Sequence, residues 1–275
     1  RPPRSTLFPY TTLFRSKITS ILLQSGADVE KLRPDNGTLL MSAVENLNVP
    51  LVKHIIEKDE TQEVIAKRVA QEFHNNDVIT LGIGLPTKAV TYLPDNVEVI
   101  VQSENGVLGV GTYPHESVKD ERITNAGGVG VTINPGGCFI DSLTSFGLMR
   151  GGHIDITVLG ALQVDQEGNL ANWCIPGKFT PGMGGAMDLV VGTKKLIIAM
   201  EHTSKGMPKI LKKCTLPLTA AHKVNLIITE KGVFEVTPQG LLLREISPYS
   251  SLEDIKNTTE ADFTLALNKV NKSAN

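Results

Sequence analysis

No stretch of this 275-residue chain is apolar for long enough to cross a bilayer: runs such as Leu196–Met200 fall far short of the roughly 20 residues a spanning helix needs. The N-terminal region has no compact apolar segment followed by a small-residue cleavage site, so no secretory signal is expected. Cysteine is scarce and dispersed. Cys138, Cys174 and Cys214 form no CxxC or Cys/His cluster, which argues against a disulfide framework and a structural zinc site. The six histidines make no HxH or HxxxH pair, so no metal is expected. Charge of one sign is missing too: 27 basic against 29 acidic residues leave a net charge of −2, with no global field toward nucleic acid or an anionic membrane. With 41% hydrophobic and 20% charged residues, the chain is expected to be globular and cytoplasmic, with a full core.

The first 60 residues differ in texture from the rest. Thr6–Ser16, TLFPYTTLFRS, resembles the translation of a sequencing-adapter oligonucleotide, so residues 1–16 are expected to be a disordered artefact outside the fold. Within residues 17–59, ILLQSGADV (Ile21–Val29) and NGTLLMSAVENLNVPLVKHIIEKD (Asn36–Asp59) resemble one and a half ankyrin repeats. Such repeats bury their faces against neighbours and need about three units, so this helical fragment is not expected to be a working binding module.

From residue 60 to residue 275 the pattern is that of one α/β domain. Gln62–Phe73 places apolar residues at 64, 65, 69, 70 and 73, a helical period. Continuous apolar runs at Val78–Gly84, Val97–Gln102, Ile154–Leu159, Leu196–Met200 and Val224–Thr229 read as buried strands. Their alternation with helices predicts an α/β fold: an open, mostly parallel sheet with helices on both faces, and chemistry at the carboxyl ends of the strands.

Glycine-rich loops fall at those ends. Ser103-Glu104-Asn105-Gly106 leads into Gly109 and Gly111, setting a carboxylate beside backbone that a ligand can approach closely. The GxxGxG order is not the GxGxxG of a dinucleotide site. By itself the segment is equally a strand-to-loop turn with a solvated glutamate. Pro181–Val190 carries Gly182, Gly184 and Gly185 before an apolar helical run, a candidate backbone-donor loop. Ile79–Thr87 holds Gly82 and Gly84, then Pro86, which suits a helix start. His153 and Trp173 suit packing as well as any role, and Lys194, Lys195, Lys205, Lys209, Lys212 and Lys213 read as a solvated face or as contacts to substrate phosphates.

Together these segments resemble the B subunit of the family I coenzyme A transferases, from about Gln62 to Phe263. SENG, LGIGLPT, GGHID, LGALQVDQEGNLANWCIPGK, GMGGAMDLV and KILKKCTLPLTA stand in the family's order. The finer likeness is to the branch that uses acetate or butyrate with acetoacetate, and the succinyl-using 3-oxoacid branch is its near neighbour. The resemblance implies that Glu104 is the residue acylated during turnover. It also implies oxyanion donors at Gly184–Gly185, with Asn105 and Gly106 as the alternative, and CoA-binding loops at Gly82, Gly84, Gly109, Gly111 and Lys178. Coenzyme A would be substrate, with no further cofactor, and an A subunit would complete a hetero-oligomer. An acyl-CoA hydrolase and a non-catalytic sugar-phosphate sensor are the rival readings of such a fold.

Overall fold

A computed structural model describes residues 49–267 apart from 179 and 181, with side chains from Glu60 onward except that of Glu116. The expected artefact at 1–16 and most of the ankyrin-like segment lie outside the described residues. The chain divides into two units, Arg1–Glu63 and Val64–Asn275. Helix α1 (Val49–Ala70) runs through the boundary expected at Glu60. No glycine or proline separates Leu51 from Phe73, so nothing in the sequence stops the helix there. Among the described residues, no helix is long and apolar enough to cross a membrane.

The elements of the second unit follow in chain order: β1 (Val78–Leu81), α2 (Leu85–Lys88), β2 (Ile100–Ser103), β3 (Val107–Val110), β4 (Ile133–Phe139), α3 (Ser142–Arg150), β5 (Ile156–Leu159), β6 (Gln163–Asp165), β7 (Leu170–Ala171), α4 (Ala186–Val191), β8 (Lys195–Ala199), β9 (Thr203–Ser204), β10 (Met207–Pro208), β11 (Ile210–Leu211), β12 (Leu226–Ile228), β13 (Gly232–Thr237), β14 (Gly240–Ile246), α5 (Leu252–Thr258) and β15 (Phe263–Leu265). Ten strands form one sheet in the order β15-β14-β13-β12-β8-β5-β1-β2-β3-β4. Its five central strands, β12-β8-β5-β1-β2, are parallel throughout. They correspond to the apolar runs read as buried strands; four are shorter than their runs because loops claim the ends, and β8 matches its run in length but begins one residue earlier.

The flanks bring antiparallel pairing into the mostly parallel sheet, with β14–β15 parallel at one edge. β2–β3–β4 on one side and β12–β13–β14 on the other are antiparallel. β4 carries proline and two glycines (INPGGCF) and lies at the sheet edge, where a missing donor is tolerated.

Successive strand residues alternate between two apolar layers. Ile79, Ile156, Val158, Ile197, Ala199 and Ile228 face one layer with Ile65, Val69 and Phe73, at the end of α1 and just beyond it. Leu159, Leu196, Ile198 and Ile227 face the other, with Met149 of α3, Leu189 and Val190 of α4, and Ile255 of α5. The small sheet β11-β6-β7 adds Val164, Leu170 and Ile210 to that second layer.

At one end of the sheet His202 is fully buried, with Nδ1 2.9 Å from Thr229 Oγ1 and Nε2 2.9 Å from Thr259 Oγ1. Burial, reinforced by the Lys231 charge, pushes its pKa down to about 4. Because the folded value lies below the unfolded value of about 6.5, stability is complete above pH 6.5 and is lost as pH falls toward 4. Over that window His202 is expected to cost of the order of 3 kcal/mol. Urea unfolding at pH 7 and pH 4.5 checks this: the stability difference between the two should shrink in His202→Gln, and an unchanged difference contradicts it.

Candidate active site

Ser103-Glu104-Asn105-Gly106 closes the β2–β3 hairpin. The Gly106 N–H donates to the Ser103 carbonyl at 2.9 Å, and Gly106 sits at φ +109°, where a Cβ would collide with the Ile140 carbonyl oxygen. Every residue of the turn is tied to the surrounding structure. Ser103 Oγ accepts the Ala126 N–H at 2.9 Å, and Asn105 Nδ2 donates to the Thr124 carbonyl at 2.8 Å. The Gly106 carbonyl accepts the Ile140 N–H at 2.9 Å, and Ser145 Oγ donates to the Glu104 carbonyl at 2.8 Å. A side chain on such a turn is held by scaffold on both sides, as a reacting group requires.

The Glu104 carboxylate meets the loop that precedes α4. The Gly185 N–H donates to it, and a Cβ on Gly185 would overlap Oε2 and Cδ of Glu104. Partial burial, helped by the charge of Asp188, raises the Glu104 carboxyl above its ordinary value, and the Gly185 hydrogen bond offsets part of that rise. Asp188 is gripped in turn by Arg150, whose Nε lies 2.7 Å from Oδ1. The result is a half-buried carboxylate with one backbone donor and a neighbouring acid held in an ion pair with Arg150.

The residues expected to take part separate into groups. Gly185 stands against Glu104, and Gly184, at φ +52°, comes just before it, with open space where a Cβ would point. Gly106 does not serve as the alternative donor, because its N–H is engaged in closing the turn. The Asn105 side chain donates to the Thr124 carbonyl, which does not bear on the backbone N–H expected as a donor. Gly109 and Gly111, expected in a CoA-binding loop, are instead packing positions in and beside β3. A Cβ on Gly109 would press on Gly137 of β4, at an irregularity in the ladder, and one on Gly111 would strike Thr132 and Asn134.

Gly82 packs on Leu159, whereas Gly84, at φ +85°, precedes α2 and borders open space. Lys178 is exposed in the turn whose N–H returns to the Ile175 carbonyl. Of the six lysines read as a possible phosphate surface, Lys194 pairs with Asp155, Lys195 with Glu72 and Lys212 with Asp262. Roles for Arg150, Asp188 and Ser145 were not foreseen. Arg150 and Asp188 lay inside noticed motifs, but only the packing of α3 beside α4 brings them together.

The fold is shared with CoA transferases of known structure. The acyl-CoA transferase YdiF apoenzyme from Escherichia coli O157:H7 superposes with a TM-score of 0.59 at 22% identity, over 76% of this chain and 43% of that one. The decarboxylase AibA/AibB also matches, with a TM-score of 0.55 at 19% identity, over 77% of this chain and 90% of that one. At that distance the likeness establishes architecture and leaves the chemistry to the site. The sequence itself goes further: residues 62–258 match the coenzyme A transferase family, and the chain belongs to it. It is 56% identical over 206 residues to the acetate CoA-transferase subunit beta of Haemophilus influenzae, covering 74% of this chain and 92% of that protein. To the Escherichia coli K12 protein of the same name it is 50% identical, covering 75% and 95% respectively. Mouse mitochondrial succinyl-CoA:3-ketoacid coenzyme A transferase 2B is 49% identical over 215 residues, which are 77% of this chain and 41% of the mouse enzyme.

Proposed function

We propose that this chain is the B-type subunit of a short-chain CoA transferase that exchanges CoA between acetoacetate and acetate or butyrate, with Glu104 as nucleophile. The observation that carries the reading is the Glu104 carboxylate, fixed on a tethered hairpin turn against the Gly185 N–H. A Glu104 oxygen attacks the acyl-CoA carbonyl; the carbon–sulfur bond breaks, giving a mixed anhydride and CoA thiolate. The thiolate then attacks Cδ of Glu104, releasing the acyl group as free carboxylate and leaving a glutamyl-CoA thioester. An incoming carboxylate reverses both steps. Group potential is conserved throughout, which a serine ester would not achieve.

When the thiolate adds to Cδ, negative charge develops on a Glu104 oxygen, and the Gly185 N–H that donates to this carboxylate is the donor proposed to meet it. The anhydride and thioester survive only where water is kept out. Exposed apolar side chains stand next to the groups that hold the turn: Leu143 is two residues from Ser145, and Met187 is two from Gly185. A partner surface covering them would exclude water, and an A-type subunit is the partner proposed, since curated relatives are themselves named as subunits beta or B.

Isotope exchange tests the reading. The chain assembled with an A-type subunit should move label from acetate into acyl-CoA in the presence of acetoacetyl-CoA, faster than it releases free thiol. Thiol release that proceeds equally without added carboxylate would instead identify a hydrolase. Preference for succinate over acetate as acceptor would move the chain to the succinyl-using branch.

A further inference from the structure

The Glu104 turn is held from below by three buried polar side chains that the chemistry above leaves unused. Thr80 of β1 and Gln102 of β2 are register partners in adjacent parallel strands. Thr80 Oγ1 donates to Gln102 Oε1 at 2.6 Å, Gln102 Nε2 donates to Ser145 Oγ at 2.8 Å, and Ser145 Oγ donates to the Glu104 main-chain carbonyl at 2.8 Å. Their exposures are 2%, 1% and 0%, so water does not share these bonds. Polar groups this deep cost stability unless fully paired, and apolar side chains would fill the same space without that cost. The relay is also directional. The Glu104 carbonyl can only accept, so it fixes the Ser145 hydroxyl as donor. That fixes the Gln102 amide orientation, and the amide fixes Thr80.

We propose that the Thr80–Gln102–Ser145 relay is a positioning device for the nucleophile, an inference that rests on Glu104 being the acylated residue. The carboxyl group of Glu104 changes through turnover from anion to anhydride to thioester, so its bond to the Gly185 N–H changes in strength at every step. The main-chain carbonyl of Glu104 changes in none of them. An anchor placed there keeps the residue in register with its donor in all three states, and joins it to two strands and helix α3 of the rigid sheet. Thr80, Gln102 and Ser145 act through Glu104 and touch no substrate.

The test uses the assembled complex with an A-type subunit and the variants Ser145→Ala and Thr80→Val, each of which deletes one hydroxyl link. Intact mass after addition of acetoacetyl-CoA counts the chains that carry glutamyl-CoA, and turnover is expressed per adduct-forming chain. Displacement of a reacting group by a fraction of an ångström should cut turnover per site by ~10- to 100-fold in Ser145→Ala and by ~3- to 10-fold in Thr80→Val. KM for both substrates should stay within about twofold. A merely structural role would lower the number of adduct-forming chains and leave turnover per site at the wild-type value in both variants; that result overturns the proposal. If Ser145→Ala does not assemble, Thr80→Val alone decides it by the same criterion. Transfer by the wild-type complex with no adduct on Glu104 would remove the assigned nucleophile, and the relay's role with it.

Discussion

Glu104→Gln is expected to abolish CoA transfer by the assembled complex, by at least ~10⁴-fold, while the protein folds normally. The amide fills the same volume and can still accept the Gly185 N–H, so the site keeps its shape. It cannot attack a thioester and cannot hold CoA. Stability should move the other way. Burial and the Asp188 charge raise the folded-state pKa of Glu104, so ionisation is disfavoured in the folded chain. The carboxyl therefore destabilises the fold once pH has risen through its unfolded value and then its folded one, and at neutral pH the amide removes that penalty. A rise in Tm of up to about 3 °C at pH 7, absent at pH 3.5, is expected, as for active sites that trade stability for reactivity. Equal or lower Tm at pH 7 would contradict the electrostatic description. The same raised pKa places the acid-side loss of activity above the pH at which an exposed glutamate would cause it.

Gly185→Ala should be the second most damaging change, lowering kcat by ~10²–10³-fold. Gly185 has φ −82° and ψ 3°, a conformation open to alanine, so the backbone has no reason to move. The added methyl instead lands on Oε2 and Cδ of Glu104. Either the carboxylate swings away from its donor or the donor retreats, and both separate nucleophile from oxyanion site. Gly184→Ala is the contrast. Its φ of +52° strains an alanine by about 1 kcal/mol, but its Cβ would point into open space. That variant should lose stability and keep most of its kcat, and steady-state kinetics on the two assembled complexes checks the difference. Equal losses of kcat would remove Gly185 from its assigned position.

The legible parts of this structure were those that lie close together along the chain. Continuous apolar runs such as LIIAM and the ITVL segment announced the central parallel strands, because both faces of those strands are covered. The antiparallel flanks carried no such signal: β4 is largely exposed, interrupted by proline and glycine, and defined by its edge pairing. Glu104 stood out through the motif around it, not through its own chemistry. What surrounds it depends on chain crossing. Gly185 reaches the carboxylate only once α4 is packed, and Ser145 meets Gln102 from 43 residues away. Gly106 is expected as an alternative oxyanion donor and Gly109 and Gly111 in a CoA-binding loop, but pairing across the hairpin, invisible in the sequence, gives Gly106 the turn and has Gly109 and Gly111 let β4 approach.

The most direct measurement is the mass of the Glu104 peptide after the assembled complex is incubated with acetoacetyl-CoA and reduced with borohydride. Reduction of a glutamyl-CoA thioester converts the side-chain carboxyl to an alcohol, so the peptide should lose about 14 Da, and only when substrate is present. Active transfer accompanied by an unmodified Glu104 peptide would contradict the account.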